Sequence, residues 1–228
     1  MKEITFTNVL GLDFYPPKPA VKEVPEWYKH TPEYVGEHGR KIVDPSVTVH
    51  TVKKCVPVFD AMTAGYILYT QVDVQIWQKD GLPYYTWADQ DFINFHPVEQ
   101  ASLHPKNNDM PYPKWVNTYA ITTPPGYSVL FTQPMHRDSV FTVLPGIVDT
   151  DKYKNKVSFP FVLNDAKWEG LIPAGTPMVQ VIPFKRESWK HKIGSDKERK
   201  EQNLVLLKLR TMLLNSYKKQ FWSRKEYK

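Results

Sequence analysis

The sequence predicts a mainly β protein with an extended N-terminal arm and a C-terminal amphipathic α-helix. Three observations carry that prediction. Between Thr122 and Phe184 the apolar residues come in short runs rich in Val, Ile and Phe, broken by Pro124-Pro125-Gly126, Pro145-Gly146 and Pro173-Ala174-Gly175. Such punctuation suits short strands joined by tight turns and leaves no room for a helix. Tyr15-Pro16-Pro17-Lys18-Pro19 and Val24-Pro25 hold the start of the chain extended, because proline fixes its own φ and pushes the residue before it out of the helical region. After Gly194 there is neither proline nor glycine, and a helical period takes over.

Composition sets the bounds. The 228 residues are 41% hydrophobic and 14% aromatic, enough to bury a core in one large β domain with appendages or in two small domains. Global disorder is excluded on the same ground. Twenty prolines against ten glycines favour rigid turns over flexible linkers. Cys55 is the one cysteine, so no internal disulfide forms and no cysteine-based zinc site can be built. Lys53 and Lys54 precede it and would lower its pKa, but the expectation is a buried strand cysteine.

The net charge of +6 is unevenly placed. Residues 185–228 carry 14 Lys and Arg against 5 Asp and Glu, while residues 1–184 carry 16 against 19. The basicity belongs to the tail, which disfavours a β body evolved to hold nucleic acid throughout. No apolar run approaches the length of a membrane span, and MKEITFTNVLGLDFYPP has no long apolar segment. The expectation is a soluble protein of the cytoplasm.

Three regions follow: an arm over 1–46, a β domain over 47–186, and a basic helix over 195–226. The arm opens with a strand at Ile4–Thr7 and crosses the body or a neighbouring subunit, against which its aromatics Trp27 and Tyr28 lie, with a short helical turn near Glu26–His30. Residues 47–58 alternate as a strand that ends at Pro57. In the strand Thr70–Trp77, Val72, Val74 and Ile76 share one face and Gln71, Asp73 and Gln75 the other. Asp80-Gly81 signals a hairpin into Tyr84–Trp87.

Residues 88–116 read as an insertion held to the core by Phe92, Phe95, Tyr112 and Trp115. His96 and His104 precede prolines, with Glu99 between them. A metal site needs a third ligand on a regular element, so they are expected to be loop histidines and no metal residue is assigned. Gly146-Ile147-Val148-Asp149-Thr150-Asp151-Lys152-Tyr153 places an acid pair and an aromatic on an expected hairpin. Ser195-Asp196-Lys197-Glu198 is a capping box, opening a helix that runs to about Lys225. Leu206, Leu209, Leu213, Tyr217 and Phe221 form its apolar stripe. A helix docked on its own domain or at an oligomer axis is favoured over a membrane or nucleic-acid ligand.

Three segments, in order, resemble motifs of the trimeric dUTPase family, whose fold also includes dCTP deaminases. Ala64-Gly65-Tyr66-Ile67-Leu68-Tyr69 looks like the first motif, AGYDLY. Gly146–Asp151 with Tyr153 looks like the third, GVIDxxYRG, and Gly175–Ile182 looks like the fourth, GxxIAQLI. Pro124-Pro125-Gly126-Tyr127 is similar to the turn that enters the second. The likeness spans about Val58–Phe184 and implies a distorted β-barrel or jelly roll of the β-clip type, assembled as a homotrimer. The whole chain also resembles an uncharacterised group of phage and bacterial proteins, through VPEWYK, TPPGYSVLF, GIVDTDKY and IPAGTPMVQVIPFKR, which implies a phage-encoded protein in the host cytoplasm or the virion.

Matched residue by residue, the family's chemistry is depleted. The first-motif aspartate that helps hold magnesium is Ile67 here. Met135-His136-Arg137-Asp138 replaces the phosphate-binding Arg-Ser-Ser, leaving Arg137. Thr176-Pro177 replaces the fourth motif's Asp-Arg. The carboxylate a deaminase needs falls near Phe161. What the resemblance leaves is Asp149 as a water-activating base, with Tyr153, Gln180, Arg137 and Tyr66 as ligand contacts. Asp149 and Asp151 equally suit hydrogen bonds across a tight turn.

Pyrophosphate cleavage needs a triphosphate neutralised by metal and cationic groups, so the expectation is a catalytically inactive, oligomeric structural or binding component with no cofactor. Its partners would be other copies or other viral or host proteins. The alternative is a protein that binds or sequesters a nucleotide, or a nucleoside triphosphate pyrophosphatase with an altered site. There Mg2+ would be needed and these residues would converge at a subunit interface. Nucleic acid would bind, if at all, through the basic helix.

Overall fold

The computed structural model describes residues 2–11, 15–35, 49–87, 92–101, 111–211 and 216–228. The first half of the chain forms β1 (Thr5–Asn8), β2 (Lys18–Pro19), α1 (Glu26–His30), β3 (Tyr34–Val35), β4 (Val49–His50), α2 (Val56–Thr63), β5 (Tyr66–Tyr69), β6 (Val74–Lys79), β7 (Leu82–Trp87) and β8 (Ile93–His96). The second half forms β9 (Tyr112–Thr122), β10 (Tyr127–Thr132), β11 (Phe141–Val143), β12 (Gly146–Val148), β13 (Lys156–Leu163), β14 (Gly170–Ile172), β15 (Pro177–Lys185), α3 (Asp196–Thr211) and α4 (Ser216–Gln220). Two compact units result: a β unit of Met1–Pro25, Met62–Arg186 and Tyr227–Lys228, and a second of Glu26–Ala61 and Glu187–Glu226.

The β unit is mainly antiparallel sheet. One five-stranded sheet runs β1-β9-β13-β11, with β8 also paired to β9, and the other runs β12-β10-β15-β5-β2. A three-stranded sheet runs β14-β6-β7. Both long paths are open among the described residues, so the expected barrel does not close. The sheets instead share one core, to which β5, β6, β9, β10, β11, β13 and β15 all contribute. At its centre Trp115 stacks on Phe161 with ring centroids 4.5 Å apart, and Phe141 meets Trp115 edge-on at 5.2 Å, geometries that the aromatic quadrupole favours.

Local chemistry explains several elements. Asp80 at φ 54° and Gly81 at φ 77° close the β6–β7 hairpin, the left-handed pair that a two-residue turn demands. Along β6, Val74 and Ile76 are buried while Gln75 and Trp77 are exposed, the period of two expected of a half-buried strand. Gly65 sits at φ +67°, and a Cβ there would lie 1.9 Å from the Val181 carbonyl oxygen. Only glycine lets the turn before β5 press so close to β15.

Several expectations are corrected. Residues 47–58 are not one strand: after β4, a 3-10 turn at Val52–Lys54 leads into α2. Thr51 accepts the Lys53 N–H at 3.2 Å, and Pro57 falls in the first turn of α2, where its missing N–H costs nothing. Cys55 therefore lies between helical segments and is half-buried. The strand expected over Thr70–Trp77 is β6, Val74–Lys79, so Gln71 lies before it. Gln71 is buried, accepting the Tyr15 N–H at 3.2 Å and donating to the Tyr15 carbonyl at 2.9 Å, which ties the N-terminal segment to the β unit. Tyr112–Val116 is not loop but the start of strand β9, and Phe92, Tyr112 and Trp115 are buried. Phe95 is exposed, and His96 pairs with Tyr112 at the end of β8; His104 lies outside the described residues. Ile4–Thr7 appears as β1, paired to β9 through Thr5↔Thr122 to Asn8↔Tyr119.

In the second unit, α1 occupies the expected helical turn and Tyr28 is buried, its ring 4.6 Å from the Lys53 ammonium. The capping box forms: the Ser195 N–H and hydroxyl both donate to Glu198 Oε2. Helix ends at Gln220 rather than near 225. Trp222 Nε1 and Lys225 Nζ, beyond that end, donate to Asp60 at 3.0 Å and 2.5 Å. On α3, Leu204, Leu206 and Leu207 are exposed; the side chains of Leu209 and Leu213 lie outside the described residues.

Candidate functional site

The acid pair lies on the turn that follows β12. That strand pairs with β10 through Val129↔Val148, while β13 belongs to the other five-stranded sheet. The segment is therefore a crossing between sheets and not the expected hairpin. Thr150 is fully buried and its hydroxyl lies 2.7 Å from that of Thr123, pinning the crossing to the end of β9. The Lys152 and Tyr153 N–H groups both donate to the Asp149 carbonyl, at 2.9 Å and 2.8 Å.

Ser128, fully buried on β10, donates to Asp149 Oδ1 at 2.6 Å. Arg186 follows β15, and its guanidinium lies 3.2 Å from the same Asp149 oxygen. It also donates to Asp151 Oδ1 at 2.7 Å, to Ser128 Oγ at 3.0 Å and to the Tyr127 carbonyl at 3.1 Å. Its second terminal nitrogen pairs with Asp151 Oδ2, which also accepts the Gly126 N–H at 2.9 Å. One guanidinium thus spans both acids, a bidentate pair on Asp151 and a single contact to Asp149.

The electrostatics follow the hydrogen bonds. The Ser128 hydroxyl, and then Arg186, hold the Asp149 carboxyl below its usual range. Arg186 first, with the Gly126 N–H, holds Asp151 lower still, and Asp151 in turn raises Arg186. A carboxylate stabilised in this way is a poor proton acceptor near neutral pH. Arg186, which composition assigns only to the basic tail, is the residue that sequence reasoning misses. Its position directly after a strand paired to Tyr127 and Ser128 is a tertiary fact.

The other expected contacts occupy different surroundings. The Tyr153 ring is half exposed, and its hydroxyl reaches the Lys156 carbonyl at 3.4 Å. Gln180 is fully buried; it accepts the Met135 N–H at 2.9 Å and donates to the Ala64 carbonyl at 2.8 Å. It fastens the 133–138 loop, which carries Arg137, to the turn before β5. Tyr66 packs edge-on against Phe6 at 5.2 Å and Tyr227 at 6.0 Å. Only Asp149 and Tyr153 share one turn. Ile67, at the magnesium-aspartate position of the resemblance, is fully buried beside Ala20 and Tyr69, and Phe161 is fully buried in the aromatic core.

An apolar groove of about 340 Å3 opens elsewhere on the β unit, lined by Tyr84, Tyr85, Phe95, Tyr112, Pro113 and Leu163 among others. Asp149, Tyr153, Gln180, Arg137 and Tyr66 take no part in it. Among the described residues, no three His, Cys, Asp or Glu side chains converge as a metal-ligand set.

No protein-family model matches this chain, and no curated protein matches its sequence. Among solved structures, a mutant dUTPase from phage phi11 of S. aureus, described for the coordination of a structural Mg(II) ion, is similar over 59% of this chain and 85% of its own. The identity is 13% and the TM-score 0.32. Similarity at that level leaves ligand and chemistry to be argued from this chain's own residues.

Proposed function

We propose that this chain is a catalytically inactive, dUTPase-like β protein that acts as an oligomeric structural or binding component. The observation that carries the reading is the Arg186 guanidinium lying across Asp149 and Asp151. The one acid that could activate water is committed to a charge pair and to Ser128. The burial of Ile67 and Phe161 supports the same reading, since neither offers an oxygen to a cation or a proton to a base. The protein is phage-encoded, forms a homotrimer, and works in the host cytoplasm or the virion alongside other copies or other proteins. Among the described residues no helix is long and apolar enough to cross a membrane.

The test is a nucleotide panel scored by thermal shift with and without magnesium, joined to light scattering and a pyrophosphate-release assay on dUTP. A trimer with a flat panel and no release supports the reading; magnesium-dependent pyrophosphate release sinks it. A second reading, nucleotide binding without cleavage, is favoured by the half-exposed Tyr153 ring beside Asp149, a surface on which a sugar or base can lie. Stabilisation by one nucleotide, lost in Tyr153→Ala, selects it, because a ligand that binds only the folded state raises its stability.

A further inference from the structure

The turn that carries the acid pair continues into Lys152-Tyr153-Lys154-Asn155-Lys156. Its three lysines are all exposed. None of them forms an ion pair among the described residues, although Lys29, Lys54, Lys192 and Lys225 elsewhere each reach a carboxylate. The acids nearest in sequence, Asp149 and Asp151, are taken by Arg186. Lys152, Lys154, Lys156 and Arg186 against those two acids leave a local surplus of positive charge. The tail is therefore not the sole basic surface.

Between the lysines the Tyr153 ring is half exposed and anchored at both ends. Its N–H donates to the Asp149 carbonyl at 2.8 Å, and its hydroxyl lies 3.4 Å from the Lys156 carbonyl. Asn155 Oδ1 accepts the Lys156 N–H at 2.7 Å, which shapes the end of the turn. A ring held in this way loses little freedom when a ligand lies on it. A second pairing of cation and aromatic is tied to the same turn. Lys2 places its ammonium 5.9 Å from the Tyr127 ring centre, and Gly126, just before Tyr127, donates its N–H to Asp151 at 2.9 Å.

We propose that this face of the β unit binds single-stranded nucleic acid, with Lys152, Lys154 and Lys156 on phosphates and a base stacked on Tyr153. Charge complementarity calls for an oligoanion, and the ring decides which one. Acidic side chains offer carboxylates but no flat face to the ring. A duplex keeps its bases stacked inside. A single strand presents phosphates and unstacked bases together. Arg186 makes the approach possible, because bare carboxylates at Asp149 and Asp151 would repel a phosphate chain. The inference rests on the reading of this chain as a binding component and names its partner. It places nucleic acid on the β unit and not on the basic helix.

The test uses the full chain and a fluorescent thymidine oligodeoxynucleotide of about 12 nucleotides, titrated by anisotropy over a range of salt. The parallel arms are an abasic strand of the same length, the matching duplex and poly-glutamate. The expected result is saturable binding to the thymidine strand, weaker binding in the other arms, and a log–log salt slope of about −2 for three phosphate contacts. Changing Lys152, Lys154 and Lys156 together to Gln should flatten that slope. Tyr153→Ala should weaken binding at least about fivefold, and Tyr153→Phe should preserve it. Changing Lys197, Lys200 and Lys219 of the helices to Gln should alter neither. No binding to the thymidine strand, equal binding to the abasic strand, or tighter binding to poly-glutamate would overturn the proposal. So would loss of binding in the helix variant but not in the turn variant. Pyrophosphate release from dUTP sinks the proposed inactivity alone, and a flat strand titration sinks this inference alone, so the two failures are told apart.

Discussion

The Asp149 carboxylate and the Arg186 guanidinium lie 3.2 Å apart, joined by the Ser128 hydroxyl that contacts both. Because Asp149 and Asp151 are both held below their ordinary values, the folded state binds fewer protons than the unfolded chain as pH falls. The stabilisation is complete above the unfolded carboxyl pKa of about 3.9 and is lost as pH drops through the folded values. Wild type should therefore lose stability steeply below about pH 4, and Arg186→Met should start lower at pH 7 and show a flatter acid limb. Denaturant melts from pH 2 to 7 check this; parallel limbs would remove the clamp from the account.

The same geometry makes a catalytic prediction. Purified protein with dUTP and Mg2+ should release no pyrophosphate above background, and Asp149→Asn should leave that background unchanged. Turnover abolished by Asp149→Asn would restore Asp149 as a working base.

Gln180, fully buried, satisfies two backbone groups. Gln180→Leu conserves volume but strands the Met135 N–H and the Ala64 carbonyl, at an expected cost of about 2–4 kcal/mol. Chemical denaturation measures the change, and a cost below about 1 kcal/mol would mean the loop finds other partners.

Two glycines with positive φ separate conformation from contact. Gly81→Ala meets nothing within 4 Å and should cost only the left-handed penalty of about 1–2 kcal/mol. Gly65→Ala adds a collision with the backbone of β15 and should cost about 4 kcal/mol or leave no soluble protein. Comparable costs for the two would show that β5 can move away from β15.

Phe161→Ala removes the ring stacked on Trp115 and should cost about 3–5 kcal/mol. Phe161→Leu should recover much of that, as measured by the same unfolding curves.

Local signals were legible where a few neighbouring residues decide the outcome. Asp80-Gly81 fixed a hairpin, Ser195 and Glu198 fixed a helix start, and the proline-glycine breaks between Thr122 and Phe184 marked short strands. Signals failed where tertiary partners override local pattern. Gln71 is polar and alternates with valines, yet it is buried because the Tyr15 backbone offers it both a donor and an acceptor. Val56-Pro57-Val58 alternates like a strand, but proline is also at home in a first helical turn, and that is where it lies. Of the candidate site, the turn shared by Asp149 and Tyr153 could be anticipated. The Arg186 clamp could not, because a pairing between distant positions leaves no periodic trace.

The position of β15 has a consequence for how the chain is made. It is the middle strand of its sheet, between β10 and β5, yet it follows all four of its sheet neighbours in the sequence. A ribosome delivers β2 and β5, and later β10 and β12, as two ribbons, each with an unpaired edge facing the gap that β15 will fill. Until residues 177–185 emerge, those edges are open to pairing with other nascent chains. A product truncated before Pro177 would therefore be sticky rather than merely incomplete, and synthesis itself becomes the step at which this protein is most exposed to aggregation.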